Sequence, residues 1–485
     1  MSSSELHIHG HSCLEIRTDK TTLICDPWLA GSTYWRSWWN FPKSPDLDSL
    51  LDLWSEKDNL FVYITHLHWD HFHGPTIRKI LKRCKNSNFI IPKTPELRLK
   101  NDLKGVIGKK FINEIGHTKS LELEKGLAIS SFQFGPFIGD SILSINSKGI
   151  NILNMNDAKI MKLSLAHLLS IIEKPNYVLR SHSSANCRCC FRDLDGNLPK
   201  IYADKTRLDY SKEFFDACYA TGADTAIPFA SNMACLHKET YQYNSILNFS
   251  DYVEKDFKKV KSKYKGMDCK LILPSEKLIL ETKTQVKNNN LRETIQNQPR
   301  DLYLRKYQNQ ISKILKKQYE LEDSEKISGK LIIKYFSKII NQSPFFVRSY
   351  LSNKIYIEVY SKNKTRYFNI DFTKRNVKEV FDIFLEKNVL VIKVHAFVIN
   401  DVCKKSHWNS LGVSKRLIVC KSPNNKRFLV FNILCNTIEC GGFFPLKNIF
   451  NYRFISIWLT RFREILDLAI YFFLGTINKK NTDEI

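Results

Sequence analysis

The run Tyr63-Ile64-Thr65-His66-Leu67-His68-Trp69-Asp70-His71-Phe72-His73-Gly74 sets three imidazoles and a carboxylate within six positions, His66 to His71. Ligand-type side chains at that density point to metal binding. The preceding residues, Leu60 to Ile64, are β-branched and aromatic, which predicts a buried strand ending at Thr65. Residues two apart in an extended chain face the same way, so His66 and His68 grip one ion together. Asp70 and His71 fall where the chain turns toward a helix at about 76–83 and address a second ion, making the site binuclear. His73 lies outside this spacing and is expected beside the site or on the surface.

A second carboxylate follows from strand patterning. Gly139 to Ile145 and Gly149 to Asp157 read as two adjacent strands, the second ending on Asp157. A carboxylate shared by two cations offsets their charge and fixes their separation, so Asp157 is the candidate bridging ligand, with a loop-capping role as the alternative.

The HxHxDH arrangement resembles the signature of the metallo-β-lactamase superfamily. The segments His9-Gly10-His11-Ser12-Cys13-Leu14-Glu15-Ile16 and Leu23-Ile24-Cys25-Asp26-Pro27-Trp28-Leu29, with Gly31 and Trp38-Trp39, resemble the branch containing CMP-N-acetylneuraminate hydroxylase. Ascorbate-6-phosphate lactonase and N-acyl-phosphatidylethanolamine phospholipase D are more distant relatives of that branch. The resemblance implies an α+β, four-layer αββα sandwich with a metal cleft at one sheet edge. It implies that Asp26 fixes the metal loop by hydrogen bonding, where composition alone would also allow a turn former before Pro27. A strand, loop and histidine at Ile227 to His237 resemble the same branch, which makes His237 the candidate remaining ligand of the second metal. Loops carrying Ser183, Asn186, Ser231 and Asn232 are expected to open onto the cleft and contact substrate.

The chain also departs from that pattern. The superfamily usually supplies a third histidine to the first metal from the strand before residues 142–145, and Phe132-Gln133-Phe134-Gly135-Pro136-Phe137 has none. His117 precedes the strand Leu127 to Phe132 and is not assigned as its replacement. Without one, the first site is weakened, and iron in place of zinc, a single metal or lost catalysis would follow. The Cys187-Arg188-Cys189-Cys190 patch has no matching half-site, and no paired Cys-x-His and Cys-x-x-His ligands of a Rieske cluster occur. Monooxygenation would therefore require an external reductase.

At 485 residues the chain exceeds one core, and 43% hydrophobic residues support folding throughout. The reading is a metal domain over 1–255, a basic helical connector over 256–330 with Leu304, Tyr307, Ile311, Ile314 and Leu315 as its apolar stripe, and a smaller α+β domain over 331–485. In the last, Ile355, Ile357 and Val359 share one face, as do Phe368, Ile370 and Phe372. The segment Phe454 to Leu474 is interrupted by Arg461, Arg463, Glu464 and Asp467, so a docked amphipathic helix with the stripe Trp458, Phe462, Ile465, Ala469 and Phe472 is expected before peripheral membrane contact. Thirteen scattered cysteines and a start lacking a signal-peptide pattern are expected of a cytoplasmic protein. The charge of +25 arises mainly after the metal domain and is read as solvated helix faces rather than a nucleic-acid surface, since no binding module accompanies it.

The expected function is a metal-dependent hydrolase using a metal-bound hydroxide on an anionic, carbohydrate-derived substrate such as a sugar nucleotide or phosphoester. His66, His68, His71 and His237 would hold two divalent ions, zinc first and iron or manganese next, with Asp157 bridging and Asp70 both ligating and orienting the nucleophile. An iron-dependent oxygenase with an external electron donor and a non-catalytic metal- or sugar-binding scaffold are the alternatives.

Overall fold

Two mixed sheets face each other, and the residues between them are those the strand patterns place inward. The computed structural model describes residues 3–135, 139–183, 187–193, 196–198, 206–352, 354–383, 389–420 and 425–473. The first sheet runs, in spatial order, Thr284–Val286, Lys277–Ile279, Glu5–Ile8, Leu14–Arg17, Thr21–Cys25, Asn59–Tyr63, Ser87–Pro92 and Ile112–Ile115. The second runs Asp268–Cys269, Thr225–Phe229, Tyr177–Ser181, Ile150–Asn156, Asp140–Ser147, Leu127–Phe134 and Lys119–Glu124. Leu6, Ile16 and Leu23 of one sheet meet Ile129, Ile145 and Leu179 of the other. Thr21–Cys25 is buried along its whole length because it pairs on both sides and is covered on both faces.

Helices close the outer faces. Leu47–Ser55, Gly74–Arg83 and Arg98–Ile107 pack Leu51, Ile77, Ile80 and Leu103 on the first sheet. Lys162–Ile171, Arg207–Tyr219 and Ser250–Val260 pack Leu168, Phe214, Phe215 and Phe257 on the second. This is the αββα sandwich the motifs imply. It extends past the expected boundary at 255, because the short strands between Asp268 and Val286 complete both sheets.

The helices Asn289–Asn297, Arg300–Gln310 and Ser312–Ser324 form the connector. Leu304, Tyr307, Ile311 and Leu315 are buried against the Trp38–Asn40 region, whereas Ile314 is 44% exposed and drops out of the stripe. The C-terminal domain is built on a sheet ordered Phe191–Arg192, Leu417–Cys420, Leu390–His395, Ile355–Tyr360, Thr365–Asp371 and Asn376–Val380. Its edge strand Phe191–Arg192 comes from the metal-domain half of the chain. Ile355, Ile357, Val359, Phe368, Ile370 and Phe372 all enter its core, as their alternation requires.

The terminal segment forms two helices, Tyr452–Thr460 and Phe462–Phe473. Its burial departs from the expected apolar stripe, of which Trp458 is buried. Phe462 and Ile465 are nearly half exposed, while Arg461, Glu464 and Asp467 are buried, because these charges supply hydrogen bonds that neighbouring backbone groups lack. Asp467 accepts from the N–H groups of Leu163 and Ser164 at the start of the helix Lys162–Ile171, and Glu464 accepts from Gly135 N–H. Among the described residues no helix is long and apolar enough to cross a membrane, and no disulfide joins any of the thirteen cysteines.

Candidate metal centre

The strand Asn59–Tyr63 ends at the open edge of the sandwich and projects the histidine loop from its tip. Pro75, in the first turn of Gly74–Arg83, starts the following helix, where a missing N–H costs nothing. The ligand-type atoms gather into two groups. His66, His68 and Asp157 form one, and His11, Asp70 and His71 form the other, with the ligand atoms of each group within 4.8 Å of one another.

In the first group His66 Nε2 lies 2.8 Å from His68 Nδ1 and 3.7 Å from Asp157 Oδ2. In the second, His11 Nε2 is 2.9 Å and His71 Nε2 3.6 Å from Asp70 Oδ2. Asp157 Oδ2 is also 3.7 Å from His71 Nε2, so this one carboxylate faces both groups.

Asp26 sits beneath the loop with a left-handed φ of 49°, a conformation Asp tolerates better than most residues. Its Oδ1 accepts from Thr65 N–H at 2.8 Å, and its Oδ2 from the Thr65 hydroxyl at 2.7 Å and from His71 Nδ1 at 2.8 Å. With its proton committed to Asp26, Thr65 Oγ1 accepts from His66 Nδ1 at 3.0 Å. One carboxylate thereby fixes both imidazoles with Nδ1 protonated and Nε2 turned toward the cleft.

The electrostatics match a site prepared for cations. Burial would discharge His71, but Asp157, Asp70 and Asp26 raise its pKa to about 10. Burial, reinforced by the neighbouring His71 charge, lowers that of His66. Asp70 is held well below the carboxylate range: burial opposes ionisation, but His71 and His11 outweigh it. His71 Nε2 and Asp157 Oδ1 are buried with no hydrogen-bond partner among the described residues. An unpartnered imidazole N–H and an unpartnered carboxylate oxygen beside converging carboxylates suit divalent ions, which would replace the His71 proton.

Sequence reasoning missed four residues at this edge. His11 joins the second group, fixed where its N–H donates to Asn40 Oδ1 at 2.7 Å; a Cβ on Gly10 would approach that oxygen to 2.6 Å, so glycine is required there. Tyr34 OH donates to Asp70 Oδ1 at 2.5 Å. Asp140, the first residue of its strand, has Oδ1 3.9 Å from His66 Nδ1, and burial together with Asp157 raises its pKa well above the usual range. His182, buried just beyond Tyr177–Ser181, has no hydrogen bond to either ring nitrogen among the described residues. The detectable signals were His11 two residues from His9 in a His-Gly-His turn and an aspartate opening the strand Asp140–Ser147, which pairs with the strand that lacks the expected histidine.

His237 is not at the centre. Its Nε2 donates to Glu322 Oε2 at 3.2 Å and its Nδ1 accepts Glu239 N–H, which spends both nitrogens in a buried contact with the connector. His73 is also buried elsewhere, with Nδ1 2.8 Å from Thr76 Oγ1. His117 Nδ1 accepts Gln133 N–H and joins neither group. Ser231 Oγ accepts from the N–H groups of His182 and Ser183, and Ser183 Oγ from Asn248 N–H, so both serines brace loops. Asn232 Oδ1 is buried without a partner among the described residues. Asn186 lies outside the described residues.

Residues 5–157 match the family model described as the beta-lactamase superfamily domain. This chain carries a metallo-β-lactamase-fold domain. Over 165 residues it is 29% identical to a putative Rieske 2Fe-2S iron-sulfur protein of Mycolicibacterium smegmatis, covering 33% of this chain and 30% of that protein. It is 34% identical over 73 residues to cytidine monophosphate-N-acetylneuraminic acid hydroxylase of Danio rerio, covering 15% of this chain and 12% of that one. The chain thus spans about 30% of the length of the first curated relatives it matches. Among solved structures, the metallo hydrolase Igni18 of Ignicoccus hospitalis aligns with TM-score 0.39 at 14% identity, over 59% of this chain and 99% of that one. CmlA, a diiron β-hydroxylase of Streptomyces venezuelae, aligns with TM-score 0.38 at 16% identity, over 59% of this chain and 55% of that one.

In this metallo-β-lactamase-fold domain the turn carrying Tyr34 is held from the C-terminal domain. Tyr34, Trp35 and Arg36 have left-handed φ values of 51°, 53° and 65°. Each costs about 1–2 kcal/mol in a non-glycine residue. Arg416 Nη1 donates to Trp35 C=O at 3.0 Å, Trp35 Nε1 to Asp401 at 2.9 Å, and Ser37 Oγ to Ser414 C=O at 2.7 Å. Trp69 stacks on Tyr34 and meets His407 edge-on. Tyr34→Phe removes a hydrogen bond to a charged acceptor, worth about 1.5–3 kcal/mol. Metal titration is expected to show at least tenfold weaker binding of one ion with the other unchanged; two unchanged affinities would separate Tyr34 from the site.

Proposed function

We propose that the two His/Asp groups form a binuclear metal centre and that the chain is a metal-dependent hydrolase of an anionic, carbohydrate-derived substrate. The observation carrying this reading is the single Asp157 carboxylate oxygen 3.7 Å from both His66 Nε2 and His71 Nε2. His66, His68 and Asp157 would hold one ion and His11, Asp70 and His71 the other, with Asp157 between them. When bound, divalent ions would supply Lewis acidity toward a scissile carbonyl or phosphoryl oxygen. Zinc suits this imidazole and carboxylate set, and iron or manganese accept the same donors.

The chain's own groups orient the site. Asp26 keeps the Nδ1 protons of His71 and, through Thr65, of His66 away from the cleft. Tyr34 engages one oxygen of Asp70, leaving the other toward His11 and His71. Asp140 offers a carboxyl group beside His66, from the strand paired with the one that lacks the expected histidine.

The names of the curated relatives favour a second reading, an iron-dependent oxygenase fed by an external electron donor. The two are separated by incubating protein loaded with zinc, manganese or iron with sugar nucleotides and phosphoesters. Water-dependent cleavage without oxygen uptake supports the hydrolase. Oxygen consumption that requires iron and a reductase, without cleavage, overturns it in favour of the oxygenase.

A further inference from the structure

The terminal helices Tyr452–Thr460 and Phe462–Phe473 carry apolar side chains on two faces, and the protein covers only one. Phe454, Ile457 and Trp458 are buried, with Phe454 and Trp458 each 5.2 Å from the Phe443 ring. Tyr452, Ile455 and Leu459, spaced three and four apart, share the outer side of the first helix. Tyr452 is 85% and Leu459 69% exposed, and Phe450, just ahead of them, is 80% exposed. Phe462 and Leu466, four apart, carry nearly half-exposed apolar surface onto the second helix. A helix apolar all round is at rest only where both faces are covered.

Charge is withdrawn from this surface. Arg453 donates to Thr94 C=O at 3.0 Å and pairs with Glu114, Arg461 pairs with Glu464, and Asp467 caps Lys162–Ile171. Arg463 is partly buried, its Cζ 4.6 Å from the centroid of the Phe462 ring. Lys447, in the turn Leu446–Phe450, and Lys162, at the start of the helix that Asp467 caps, are exposed beside the stripe. An apolar and aromatic stripe with basic neighbours and its own carboxylates turned inward fits a bilayer interface, where apolar side chains enter the acyl boundary and cations face anionic headgroups. A second copy fits less well, because two chains of net charge +25 repel each other.

We propose that this face docks on the surface of an anionic lipid bilayer. The surface stands independently of the reading of the metal centre. Co-sedimentation of full-length protein with vesicles tests it, using phosphatidylcholine alone and phosphatidylcholine with about one third phosphatidylglycerol. The paired variant Phe450→Ser/Leu459→Ser removes exposed apolar surface at constant charge. Val286→Ser is the control, an exposed side chain on the edge strand of the first sheet opposite the edge that carries Glu114. Saturable association with the anionic vesicles is expected, at least tenfold weaker in the paired variant and on phosphatidylcholine alone, and unchanged in Val286→Ser. Absence of association, equal association of the paired variant, which would show attraction by charge alone, or equal association with neutral vesicles would overturn the proposal. Sedimentation velocity without lipid is expected to show a monomer; a dimer that the paired variant dissolves would assign the face to a second copy instead.

Discussion

Arg416→Met is expected to lower folding stability by about 3–5 kcal/mol, the cost of leaving buried charge without its counter-ion. The Arg416 side chain is fully buried. Its Nε donates to Glu239 at 2.8 Å, its Nη1 and Nη2 to Glu322 at 3.1 and 3.0 Å, and its Nη1 also to Trp35 C=O. These partners come from the metal domain and the connector, so the residue joins three parts of the chain. His237 does not share the positive charge: burial and Arg416 lower its pKa, and it contributes Nε2–H as a neutral ring. Glu322 is opposed by burial, yet the His237 hydrogen bond and the Arg416 charge bring its pKa from 4.5 to about 2. Because the folded value is depressed, this stabilisation is present above about pH 4.5 and disappears as the pH falls toward 2. Urea unfolding at neutral pH reads the loss directly, and a change under about 1 kcal/mol would contradict the network's structural role.

Asp26→Asn is expected to weaken metal binding by about 10–100-fold while the fold persists. Asparagine tolerates the left-handed backbone at this position and nearly matches aspartate in volume. It replaces one carboxylate oxygen with an N–H₂ group, so the two bonds now accepted by Oδ2, from Thr65 Oγ1 and His71 Nδ1, lose an anionic acceptor. His71 is then free to adopt the tautomer that turns a proton toward Asp157. Competition titration with a chromophoric chelator gives the affinities, and wild-type values in Asp26→Asn would show that the loop orients its histidines without this carboxylate.

The sandwich was legible because strand alternation and the histidine loop are local. Tyr63 ends a strand and His66, His68 and His71 follow within one turn, so sequence spacing becomes spatial spacing. Asp157 was legible for a similar reason, as the terminus of a strand adjacent to its hairpin mate. His11 was harder to place because more than fifty residues separate it from Asp70, and only the pairing of Glu5–Ile8, Leu14–Arg17 and Thr21–Cys25 with the histidine strand brings it there. The assignment of His237 failed because its partner, Glu322, lies in a connector whose path the sequence does not specify. The terminal helices show the corresponding limit for apolar stripes: Arg461, Glu464 and Asp467 turn inward because Gly135, Leu163 and Ser164 offer backbone groups that need partners.

The central claim is that one carboxylate joins two metal groups, and metal content tests it most directly. Full-length protein purified without added metal is analysed by plasma mass spectrometry beside His66→Ala and Asp157→Ala. About two divalent ions per chain are expected in the wild type, with a clear loss from His66→Ala and the larger loss from Asp157→Ala, because that side chain faces both groups. Wild-type protein that stays metal-free after incubation with zinc, manganese and iron, or equal metal content in all three proteins, would contradict the account.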